Sequence, residues 1–222
     1  MISLIAQGCS AAPKVALASR PTGKAGVRLS GFDIVFALFG LVLGLAITEV
    51  LAGFSRVMKV RRHVRVGWLV PVLGLVVLLD LTSFWSQAAD MRNIIPGNLL
   101  TMMIVLAIVG AYYLIATLIF PDDPASWPDF DDYYDLTNRK VLGGMLAINL
   151  ISLVASGVAF ALAPEVKGAP AEADITAWQA GFELAPVLLI LALLFVKNRR
   201  ANFFLLVAMA IDFVAIAVAE IV

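Results

Sequence analysis

The chain has 222 residues, 62% of them hydrophobic and 14% charged, with a mean hydropathy of +0.97, an apolar share well above that of a soluble domain. Sixteen Lys and Arg balance sixteen Asp and Glu, so the informative quantity is where the charges sit, and they gather in short stretches between apolar runs. One cysteine (Cys9) and one histidine (His63) exclude an internal disulfide framework and a zinc or bis-histidine haem site, and no cofactor is expected.

Residues 1–30 mix Ala, Gly, Ser and Pro with Lys14, Arg20, Lys24 and Arg28, a composition that buries no core and reads as a flexible basic tail. Small residues precede Cys9 as in a lipoprotein signal, but no basic residue precedes the short apolar run, so lipidation is not expected.

A helix crossing a hydrocarbon core of ~30 Å needs about 20 apolar residues at ~1.5 Å each. Six segments of residues 31–222 qualify: 31–55, 67–88, 98–120, 141–163, 178–196 and 201–221. Alternating period-2 patterns are absent, which argues against a barrel. The expected fold is an all-α integral membrane protein, a six-transmembrane-helix bundle. A faint likeness between "VPVLGLVVLL" (70–79) and "APVLLILALL" (185–194) would suit an inverted repeat of three plus three spans.

Along the first span Gly40, Gly44 and Thr48 lead to Glu49. The loop after it carries Arg56, Lys59, Arg61, Arg62 and Arg65, residues placed to touch anionic lipid headgroups. The second span carries Asp80, Ser83 and Gln87 on one face. The loop "PDDPASWPDFDDYYDLTNRK" holds six aspartates and complements the basic loop. It does not fit a calcium loop, because with Asp129 opening an EF-hand the glycine position falls on Tyr134.

Asn149, Ser152 and Ser156 recur on one face of the fourth span. In the fifth, Pro186 cannot donate to the carbonyl of Phe182, which leaves an acceptor beside Glu183. In the sixth, Asp212 shares a face with Ala208, Ala215 and Ala219, small residues that permit close helix approach. Trp68, Trp127, Tyr133, Tyr134 and Trp178 suit an aromatic belt.

The Lys and Arg bias puts the odd-numbered loops in the cytoplasm and both termini outside, although the basic tail argues against its own export. No Lys or Arg falls inside a span to neutralise Glu49, Asp80, Glu183 or Asp212. Counted from the nearest basic residue of an inside loop, Glu49 lies about 10 Å up, Asp212 about 18 Å, and Asp80 and Glu183 a little over 20 Å. Acids at such depth cost roughly 2.5–3.5 kcal/mol each and usually face a bundle interior.

Two functions follow. One is a proton or small-cation channel or proton-coupled carrier in a cell membrane, with Glu49, Asp80, Glu183 and Asp212 as stations and Asn149, Ser152 and Ser156 as neutral ligands. The other is a non-transporting structural or accessory subunit that uses the same polar stripes to bind partner helices, a second copy or lipids. A continuous polar path separates the two. Enzyme activity is not expected: the only histidine lies in a loop, away from Ser156. Nor is nucleic acid an expected partner.

Overall fold

Six α-helices make up the computed structural model, which describes residues 31–90, 98–162 and 177–219. The basic tail (1–30) falls outside the described residues, as do the side chains of residues 90, 156, 157, 159–162 and 177–183. The helices are α1 (Gly31–Val60), α2 (Leu69–Asp90), α3 (Leu99–Ile119), α4 (Phe130–Leu162), α5 (Ala177–Phe195) and α6 (Arg199–Ala219). Among the described residues α1, α2, α3 and α6 are long and apolar enough to cross a membrane, and α5 contributes a shorter apolar segment, Leu184–Phe195.

Long apolar runs take this form because lipid offers backbone groups no hydrogen-bond partner, and a helix satisfies them internally. Helix α1, with 30 residues, is ~45 Å long and overruns a ~30 Å hydrocarbon core. Its buried residues, Val35, Phe39, Leu43, Ala46, Val50, Gly53 and Val57, follow the 3–4 spacing of one face. Close approach depends on glycine: a Cβ at Gly53 would collide with the Phe120 ring, and one at Gly40 with Trp85. The ring of Phe120 also meets Phe54 edge-on at 5.0 Å, an arrangement aromatic quadrupoles favour.

Helix α2 occupies the middle. It packs against α1, α3, α4 and α6 and buries Leu69, Val70, Leu73, Val76, Val77, Asp80 and Leu81, residues on more than one face. Helix α3 is capped by Asn98, whose side chain accepts from the Thr101 amide at 2.8 Å, satisfying one of the orphan donors of the first turn. Helix α4 begins at Phe130, eleven residues ahead of its apolar stretch, because Asp129 accepts from the Asp131 amide at 2.9 Å and Asp131 and Asp132 occupy the first turn. Carboxylates there complement the helix dipole. Half of the aspartate-rich "loop" is therefore helix.

The two oppositely charged loops do meet, through backbone rather than side chains. The Arg65 amide donates to the Pro128 carbonyl at 3.3 Å and the Phe130 amide to the Arg65 carbonyl at 3.2 Å, forming a parallel bridge between Arg65 and Asp129. The α5–α6 turn joins the same end: Arg199 donates to Asp132 at 2.7 Å and to Asp135 at 2.9 and 2.6 Å. Three connections thus cluster at one end of the bundle. Tyr134, expected in an aromatic belt, is instead only 1% exposed, because the early start of α4 carries it into the core; Trp68, at 74% exposed, is free at the surface.

Candidate functional site

A buried polar cluster joins α2, α3 and α4. Asp80 is 3% exposed and sits where α2 turns its buried face toward both neighbours. One carboxylate oxygen accepts from the Tyr112 hydroxyl at 3.0 Å, the other from Asn149 Nδ2 at 3.4 Å. Asn149 Nδ2 also donates to the Met145 carbonyl of its own helix at 3.0 Å, which fixes its rotamer. Phe84, one turn along α2, lies 5.4 Å from the Tyr112 ring and closes the cluster on that side. The expected partnership between an acid and the Asn149 stripe is realised at Asp80. Tyr112 was not singled out from the sequence: its only signal is a hydroxyl within an apolar run.

Glu49 has a different environment. Arg56 Nη2 donates to Glu49 Oε1 at 2.9 Å, with the two side chains 33% and 27% exposed. Seven residues is two helical turns, so both lie on one face. A span ending at residue 55 leaves Glu49 unpaired; the helix continues to Val60 and brings Arg56 within reach. Arg56 is thereby committed to Glu49, while Lys59, Arg61, Arg62 and Arg65 are exposed at the loop end. Gly44 and Thr48 do not line an interior path: Thr48 is exposed and its hydroxyl donates to the Gly44 carbonyl at 2.7 Å.

Asp212 is half-buried, and its Oδ2 is enclosed without a hydrogen-bond partner among the described residues. The packed face of α6 is formed by Asn202, Leu206, Met209 and Phe213, next to the expected one; Ala208 and Ala219 are exposed. Asp212 therefore flanks the helix contact. Ser152 is half-buried, with an enclosed Oγ that has no partner among the described residues. Farther along α2 the polar stripe reaches the surface, where exposed Gln87 donates to Ser83 at 3.3 Å. Helix α5 runs unbroken through Pro186; the side chains of Glu183 and Ser156 lie outside the described residues.

Comparison with protein-family models, curated proteins and solved structures finds no match. The class that the fold defines is a helical membrane protein.

Proposed function

We propose that this is a six-span membrane protein that does not transport: an accessory subunit whose buried polar groups fasten its own helices and whose apolar faces meet lipid and partner helices. One observation carries the reading. Of the four acids expected as stations, the three whose side chains are described occupy three separate settings: Glu49 in an ion pair along α1, Asp80 closed by donors from α3 and α4, and Asp212 beside the α6 contact. A conduction path needs groups in series, and each of the first two is already occupied by a neighbour of its own. The clustering of the three connections at one end supports a common side for the odd-numbered loops, and the basic excess there supports the cytoplasmic side.

The transport reading keeps one observation of its own, the enclosed oxygens of Asp212 and Ser152 without partners among the described residues, which suit a site that takes up a proton. Proton flux into liposomes holding the purified protein decides between the two. We expect no flux above protein-free vesicles under a pH gradient or a voltage. Flux abolished in Asp212→Asn with the fold intact overturns the accessory reading.

A further inference from the structure

At the loop end of the bundle, α4, the end of α5, the α5–α6 turn and α6 line an open cleft of about 250 Å3. Its polar walls are Asp135, Asn138, Arg139, Lys197 and Asn202. Asp135 is held by Arg199, which bridges it to Asp132, so the two acids share one cation. Arg139 and Lys197 are exposed and form no ion pair among the described residues. Three basic against two acidic groups leave the cleft with one net positive charge, matched to a monoanion.

Asn202 adds a second requirement. It is 1% exposed, and its Oδ1 is enclosed with no hydrogen-bond partner among the described residues, a situation folded proteins seldom leave standing unless a ligand or water completes it. Asn138, 8% exposed, also has an Oδ1 unpartnered among the described residues, although its side chain lies beside the Tyr134 hydroxyl, so Asn202 is the firmer of the two. An amide oxygen needs a donor, which a bare deprotonated anion does not supply.

We propose that this cleft binds the headgroup of an anionic glycerophospholipid: a phosphodiester held by Arg139 and Lys197, with a hydroxyl-bearing arm donating to Asn202. Arginine and lysine are the usual phosphate partners. The volume is below that of pockets that enclose a whole drug-sized molecule and suits a headgroup alone. Leu193 and Val196 form the apolar wall, and the adjoining Phe195 is 82% exposed, which gives acyl chains a surface to follow and favours a lipid over free phosphate. The site is separate from the exposed basic loop of Arg61 and Arg62, and it depends on neither reading of the intramembrane acids.

The test is lipid binding to the purified full-length chain, followed by native mass spectrometry and by thermal stabilisation in detergent. Phosphatidylglycerol, phosphatidylmethanol, phosphatidylcholine and inorganic phosphate are compared. Wild type should bind phosphatidylglycerol about tenfold more tightly than phosphatidylcholine, a difference of ~1.4 kcal/mol. Arg139→Gln with Lys197→Gln, both at exposed positions, should erase that preference, and Arg61→Gln with Arg62→Gln should keep it. Phosphatidylmethanol, a phosphodiester without a donor arm, should bind wild type more weakly than phosphatidylglycerol, and Asn202→Ala should remove the difference. A preference that survives in the Arg139 and Lys197 variant overturns the site. Equal binding of phosphatidylmethanol by wild type overturns the donor arm, even if Asn202→Ala does not fold. Stabilisation by inorganic phosphate equal to that by phosphatidylglycerol overturns the lipid assignment.

Discussion

Removing the Tyr112 hydroxyl isolates one hydrogen bond at the centre of the bundle. Tyr112→Phe keeps the ring against Phe84 and deletes only the donor that lies 3.0 Å from Asp80. Interhelical hydrogen bonds in membranes average ~0.6 kcal/mol and reach ~1.7 kcal/mol. The Asp80 carboxylate retains one other donor, Asn149 at 3.4 Å, which is long, so the loss should fall toward the upper half of that range, about 1–1.5 kcal/mol. Asp80→Asn preserves shape and an oxygen for Tyr112 and should cost under ~1 kcal/mol. Asp80→Leu orphans a buried hydroxyl and should cost about 2–3 kcal/mol; Asn149 still has the Met145 carbonyl. In the Asp80→Leu background, Tyr112→Phe should then be nearly neutral, giving a coupling of about 1 kcal/mol. Unfolding in mixed micelles, followed by tryptophan fluorescence, measures all four proteins. Additivity of the two substitutions to within ~0.3 kcal/mol refutes the cluster as a fastening.

Other expectations concern packing and charge. Gly53→Ala places a Cβ against the Phe120 ring and should cost about 1–3 kcal/mol, whereas a Cβ at Gly44 meets nothing within 4 Å and Gly44→Ala should be neutral or stabilising by up to ~1 kcal/mol; thermal melts of the pair check both. Arg199→Gln removes pairs whose side chains are 42–57% exposed, so it should cost no more than ~1 kcal/mol, less in high salt. Burial, then the neighbouring Asp129, raises the carboxyl of Asp131 above its ordinary 3.8, with Arg199 and then a Leu69 backbone hydrogen bond pulling the other way. A raised acid favours its protonated form in the fold, so the charged form carries a penalty at neutral pH that fades as pH falls through the raised value and is gone below 3.8. Asp131→Asn should therefore be slightly more stable than wild type at pH 7 and lose that advantage near pH 4, as melts across the range would show.

What could be read ahead of the structure was whatever depends on long-range averages. Apolar runs over some twenty residues located the helices, and Asn98 and Phe120 bound α3 where the run begins and ends. Asn149 was identifiable as an acid's partner because an amide inside an apolar helix must be satisfied somewhere. The ends of α1 and α4 were not legible, because charged residues stop an apolar count without stopping a helix: Arg56 continues α1 to reach Glu49, and Asp129 caps an α4 that starts among aspartates. The role of Tyr112 was hidden by its type, since a tyrosine in an apolar run reads as bulk. The face of Asp212 was misjudged for a related reason. Alanines at helical spacing mark a possible contact, but α6 packs through the larger side chains of Leu206, Met209 and Phe213, which bury more area.

Asp212 is the residue on which the functional reading turns, and its energetics can be separated from its chemistry. An enclosed carboxyl oxygen without a partner among the described residues is a net cost to the fold, of order 1–3 kcal/mol for a buried polar group left unsatisfied. Asp212→Leu should therefore raise stability by about 1–2 kcal/mol, a gain few substitutions at polar positions give. Asp212→Asn, which keeps a polar group in place, should not. Such an outcome means that the aspartate does not fasten this chain to itself, and its use lies in a proton or in a partner helix that supplies a donor. Liposome flux then assigns it: no flux with a stabilised leucine variant points to a partner subunit meeting α6 beside Ala208 and Ile211, both exposed. A loss of stability of more than ~1 kcal/mol in Asp212→Leu refutes the premise, because it would show that the carboxyl already has a partner within the chain.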